Sequence, residues 1–193
     1  MGGSIIALSG IYPDCIMKPN ILLLGLGNLL LQDDGLGIRA LELLQDRYDL
    51  PEEVDCIDGG VLGLELMAHV EGRTHLLAID AVQTNQAAGT LVRLEGDEIP
   101  KGLTIKLSMH QVSFADILAL STLRRTLPPR LVVWGIVPSC LESGVGLSPL
   151  VANQLENLVE SVMGELHQWG IAGCRNATTH EPTAMERMGL TRS

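Results

Sequence analysis

No stretch of eighteen or more consecutive apolar residues occurs in this 193-residue chain, so a membrane-spanning helix is not expected. Aromatic residues make up only 3% against a hydrophobic share of 46%, which leaves Leu, Ile, Val and Ala to build the core. The length suffices for one domain with a full interior. Basic residues are scarce: 13 Lys and Arg stand against 23 Asp and Glu, a net charge of −10. That disfavours nucleic acid, whose binding rests on cations neutralising phosphates, and is compatible with a cation or a basic peptide. The four cysteines form no C-x-x-C pair and no disulfide framework is expected, so a reducing cytoplasm fits. Cys56 and Cys140 lie in or beside apolar runs and read as buried thiols.

Familiar catalytic signatures are missing too. There is no Gly-Lys-Ser/Thr, no H-E-x-x-H, no G-x-S-x-G and no Asp-Thr-Gly or Asp-Ser-Gly. These gaps argue against a P-loop, a fixed zinc-protease centre, a serine-hydrolase elbow and an aspartic-protease dyad.

What is present alternates. Apolar runs at 20–25, 54–60, 75–82 and 131–138 read as strands, with 89–96 as an edge strand. Helical spacing marks 36–47, 62–70, 111–123 and 148–170, the last with Pro149 in its first turn and Gly170 as its stop. Strands interleaved with helices predict a single α/β domain, a twisted and mostly parallel sheet between helices in three layers. The compact part spans 17–171. Residues 1–16 read as an extension, and 172–193 as a loose tail.

In such sheets, functional residues gather beyond the carboxyl ends of the strands. The first of these places holds Gly25-Leu26-Gly27-Asn28, followed by Asp33-Asp34. Leu30 stands where the third glycine of a dinucleotide fingerprint belongs, and two carboxylates would repel a polyphosphate, so a nucleotide-binding fold is a distant reading. One aspartate suffices to cap the helix at 36–47, and the other is left for function. Asp80 ends a buried strand, where a carboxylate is costly unless it is capped, paired or metal-bound. His110, at a loop-to-helix junction, is the histidine placed to reach the same edge. Two carboxylates and an imidazole with open positions suit a borderline divalent ion such as nickel or zinc better than calcium. Each residue taken alone also fits a cap or an exposed side chain.

The ordered set G-L-G-N-L-L-L-Q-D-D-G-L-G, D-G-G at 58–60, L-L-A-I-D-A at 76–81, H-Q at 110–111 and G-I-V-P at 135–138 resembles the nickel–iron hydrogenase maturation endopeptidases. The resemblance implies removal of a C-terminal extension from a hydrogenase large-subunit precursor after nickel insertion. It implies a metal site of Asp34, Asp80 and His110 that takes nickel supplied by the substrate, with zinc or cadmium as substitutes in vitro. Relatives often carry Glu at the first ligand. Asp34 is one carbon shorter, about 1.5 Å of reach, and Asp33 is the fallback. The metal would serve as an anchor, as a Lewis acid on the scissile carbonyl or as the source of hydroxide, with a carboxylate base as the rival route. Asn28, Asp58, Gly59 and Gly60 are the candidate substrate-binding residues, or a plain turn. A nickel-binding chaperone that never cuts would use the same ligands. No nucleic acid or membrane partner is implied.

Overall fold

A computed structural model describes residues 18–60, 62–103 and 112–176. His110, residues 1–16 and residues 177–193 lie outside these. Strands β1 (Ile21–Leu26), β3 (Val54–Gly60), β4 (His75–Ala81), β5 (Leu91–Glu95) and β6 (Arg130–Ile136) form one sheet in the order β3-β1-β4-β6-β5. β1 pairs in parallel with both β3 and β4, and β4 with β6, whereas β5 runs antiparallel at the edge. Every residue of β1 is buried, the burial expected of a central strand covered on both faces.

The alternation of β1 divides the interior. Ile21 and Leu23 join Leu77, Ile79 and Val132 under helices α1 (Leu36–Arg47), α5 (Pro149–Ala152) and α6 (Leu155–Gln168). Leu22, Leu24 and Leu26 join Leu76, Ala78 and Val133 under α2 (Leu66–Val70), α3 (Ile99–Gly102) and α4 (Phe114–Arg124). The molecule is therefore the three-layer α/β domain that its periodicity predicts.

Three boundaries differ from the sequence reading. The helix expected from 111 begins at Phe114, because Ser113 and Asp116 form a capping box: Ser113 Oγ accepts from the Asp116 N–H and Asp116 Oδ2 accepts from the Ser113 N–H. The single helix expected over 148–170 is two. The Gln154 N–H donates to the Val151 carbonyl, a tightened turn that breaks the run without any proline or glycine at the break. Residues 174–176, at the start of the stretch read as a loose tail, make regular pairings. β7 (Cys174–Arg175) pairs antiparallel with β2 (Tyr48–Asp49), and Asn176 donates to the Arg47 and Asp46 carbonyls. These bonds are made by or to backbone, so they leave no side-chain period to read.

Helix α1 lies unusually close to the sheet. A Cβ added at Gly37 would sit 2.1 Å from the Ile79 carbonyl oxygen and 2.5 Å from the Leu26 nitrogen. A Cβ at Gly25 would sit 2.6 Å from the Gly37 oxygen. The close helix–strand approach, which the third fingerprint glycine would supply, is made here by Gly25 against Gly37. Polar clusters fix the outer helices. Arg47 on α1 holds Glu156 on α6 with its two terminal guanidinium nitrogens, Nη1 and Nη2. Glu165 on α6, 3% exposed, takes Arg93 Nε and Nη2 at 2.8 and 2.9 Å and Trp134 Nε1 at 3.2 Å. Arg93 holds the Glu165 carboxyl below the usual range, against the opposing effect of burial.

Two outcomes follow from this packing. Gly37→Ala should lower unfolding free energy by roughly 1–3 kcal/mol or more in urea denaturation, because backbone atoms must move to admit a methyl group. A carboxyl whose folded pKa is lowered stabilises above its unfolded pKa and loses that stabilisation as pH falls through the folded value. The urea midpoint of the wild type should therefore drop more steeply below pH 4.5 than that of Glu165→Gln, which lacks the titrating group.

Candidate active site

The carboxyl ends of β1, β3, β4 and β6 lie side by side at one sheet edge, and the loops that follow them make the candidate site. Beyond β1 the chain turns at Asn28, whose Oδ1 accepts from the Leu30 N–H at 3.0 Å while its carbonyl accepts from the Leu31 N–H. The loop then meets the loop after β6. Leu31 bridges to Gly144: the Gln32 N–H donates to the Gly144 carbonyl at 3.1 Å and the Gly144 N–H to the Leu30 carbonyl at 2.9 Å. β4 lies between β1 and β6, so this connection joins the loops on either side of its end.

A 3-10 turn, Gln32–Gly35, follows and carries both aspartates. Gly27, at φ +123°, lets the turn fold back onto the strand end, since a Cβ there would lie 1.7 Å from the Asp34 carbonyl oxygen. Asp33 is fully buried. Its Oδ2 accepts from the Ser139 and Cys140 N–H groups at 2.9 Å each and from Ser148 Oγ at 2.9 Å, and its Oδ1 accepts from the Ser148 N–H at 2.7 Å. Four donors fill the acceptor capacity of one carboxylate. Asp33 is thus a staple inside the fold. Neither aspartate caps α1, whose N-cap is Gly35 with no side-chain bond.

Asp34 has the contrasting environment. It is 6% exposed, and among the described residues its carboxylate has no hydrogen-bond or ion-pair partner. Asp80, 3% exposed, ends β4 beside β1, and its Oδ1 accepts from the Ala81 N–H at 2.9 Å. The turn bearing Asp34 packs against β4. The two carboxylates therefore come from the carboxyl ends of neighbouring strands, as the sequence reading expects. Among the described residues no three His, Cys, Asp or Glu groups are gathered closely enough to hold an ion, and His110 lies outside those residues.

The remaining candidates divide. Asp58 is exposed at the end of edge strand β3, and Gly60 is half-buried beside it. Gly59 is buried, and a Cβ there would meet Leu24 Cδ1 at 2.7 Å and Leu26 Cδ2 at 2.9 Å, so its bareness serves packing. Cys56 is half-buried, and burial beside Asp55 pushes its thiol up to about 11, which leaves no thiolate nucleophile at neutral pH. Cys140 is also half-buried, less sequestered than its apolar surroundings suggest. His75 packs against Trp169, ring centroids 4.7 Å apart with the planes tilted by 44°, at the amino end of β4, at the opposite edge from Asp80, with burial and Arg130 lowering its pKa.

The model of the HycI hydrogenase maturation proteases matches residues 38–165, well over half the chain. The chain belongs to the hydrogenase maturation protease family. Hydrogenase 2 maturation protease of Escherichia coli is 36% identical over 162 residues, covering 83% of this chain and 99% of that one. Hydrogenase expression/formation protein HupM of Azotobacter chroococcum is 38% identical over 177 residues, covering 91% and 85%. The solved structure of the E. coli hydrogenase maturating endopeptidase HybD superposes with a TM-score of 0.76 at 36% identity, covering 82% of this chain and 98% of that one. Sheet order and helix placement in this protease are thus those of a known peptidase fold. The matched family segment begins after the Asp33-Asp34 turn.

The two adjacent aspartates should behave oppositely in urea denaturation. Asp33→Asn sets an amide NH₂ against donors and should cost about 2–4 kcal/mol. Asp34→Asn removes a buried charge that has no described partner and should leave stability unchanged or raised.

Proposed function

We propose that this protease removes a C-terminal extension from the large-subunit precursor of a nickel–iron hydrogenase once nickel is in place, and that it recognises the nickel its substrate carries. The observation that carries this reading is Asp34: a buried carboxylate with no described partner, held at the same sheet edge as Asp80, in a chain of the hydrogenase maturation proteases. Its oxygens are not among the side-chain atoms that the fold shuts away without a partner, so they are open to an arriving cation. A divalent ion brought by the substrate suits them, and it does not require a permanently filled site.

In this reading Asp34, Asp80 and His110 are the groups that take the substrate's nickel, fixing the peptide segment beside it against the carboxyl edge. In the rival route one of the two carboxylates, Asp34 or Asp80, instead acts as general base and accepts a proton from an attacking water. The nickel, as part of the substrate, polarises the scissile carbonyl as a Lewis acid. Asp58 and Gly60, at the end of β3, border the path an extended peptide would follow along the edge. Asn28 keeps its turn rigid through Oδ1, which leaves its amide hydrogens for a peptide carbonyl.

The test is mass spectrometry of the nickel-loaded precursor incubated with and without the protease. Loss of a fixed C-terminal peptide is expected. An unchanged mass, with binding retained, would support a nickel-binding chaperone instead. Asp34→Asn, Asp80→Asn and His110→Ala should each abolish processing while circular dichroism stays that of the wild type. A variant that cuts at the wild-type rate removes its residue from the set. In thermal-shift measurements, nickel, zinc or cadmium at 100-fold over Kd should stabilise by about 2.7 kcal/mol, and ATP or NAD should not stabilise at all.

A further inference from the structure

Three large apolar side chains stand exposed on the two loops joined beyond β4: Leu30 at 67%, Val145 at 58% and Leu141 at 38%. Scattered exposed leucines are ordinary on a protein surface. These are not scattered. Leu30 and Val145 each lie one residue from the Leu31–Gly144 bridge, and Leu141 follows Cys140, whose N–H is held by the buried Asp33. The fold thus uses a buried carboxylate, two bridge hydrogen bonds and the Asn28 turn to hold an apolar ridge rigidly in water. Rigid presentation reduces the ordering cost of binding a partner.

We infer that this ridge is the docking surface for the folded body of the hydrogenase large-subunit precursor, so that the protease recognises more of its substrate than the metal and the extension. The inference rests on the processing role proposed above. The occupant follows from reach. Leu30 precedes Asp34 by four residues, at most about 14 Å of chain. A stable protein interface covers about 800 Å² on each partner, a disc of about 16 Å radius. A folded precursor whose interface is centred on the nickel it brings to Asp34 covers Leu30 as well, and Leu30 is tied by backbone bonds to the segment bearing Val145. The contact required of the precursor is an apolar patch beside its nickel site. A substrate recognised through a free peptide alone would leave the ridge in water.

The ridge is tested by binding of immobilised nickel-loaded precursor in biolayer interferometry, a measurement that does not need cleavage. Leu30→Ser with Val145→Ser should weaken Kd by at least about tenfold with an unchanged melting temperature, and Val145→Ala alone should weaken it to a smaller degree. Leu123→Ser is the control. Leu123 is 81% exposed near the end of α4, which leads to the start of β6 and so lies toward the opposite sheet edge, and this change should alter Kd less than twofold. Unchanged affinity in the double variant overturns the ridge and leaves the peptidase reading standing. Tight binding that depends on the ridge, without cleavage by the wild type, supports the ridge and overturns the peptidase reading. A wild type that binds no precursor overturns both.

Discussion

The site depends on one buried carboxylate. Asp33 gathers four donors from residues more than a hundred positions downstream, and through them ties the loop after β1 to the loop after β6 and to the start of α5. Burying a charge costs several kcal/mol unless its oxygens are satisfied, and here they are. Because Asp33 is fixed in a short 3-10 turn, its neighbour Asp34 must present its carboxylate elsewhere. Two identical side chains, adjacent in sequence, thereby take separate tasks, one holding the loops and the other lacking any described partner.

The same economy appears in the layer that carries α1 and α6. Arg47 with Glu156, and Arg93 with Glu165 and Trp134, are forked guanidinium–carboxylate contacts that fix the helix ends over the sheet. Every carboxylate in these clusters is answered. Asp34 differs from these: its carboxylate has no described protein partner, and its oxygens are not among the buried side-chain atoms left without one, so they remain open to solvent.

Much of this was legible in the sequence. Buried strands announce themselves as unbroken apolar runs, so β1, β3, β4 and β6 were readable within a residue or two, and the alternating pattern at 91–95 marked an edge strand. α1 was readable to the residue because its apolar positions keep helical spacing throughout. The convergence of Asp34 and Asp80 on one edge followed from strand adjacency alone. The division of labour between Asp33 and Asp34 was not legible, because the donors that decide it lie 106 to 115 residues away and are mostly backbone. The β2–β7 pairing and the break between α5 and α6 left no trace for the same reason: backbone bonds carry no residue code. Gly37 hid differently. A glycine inside a helix looks like a propensity defect until its distance from the Ile79 carbonyl is known.

The sheet order has a consequence for how the molecule comes into being. β1 is followed in sequence by both of its neighbours, but the segment that completes its loop arrives only after β6, more than a hundred residues downstream. Contacts of such long sequence separation close late, after the intervening loop entropy has been overcome. A nascent or partly folded chain can therefore possess most of its hydrophobic layers while Asp33 is still a bare charge and the rim is unmade. The rim is complete only once the segment from Ser139 to Ser148 has closed on Asp33.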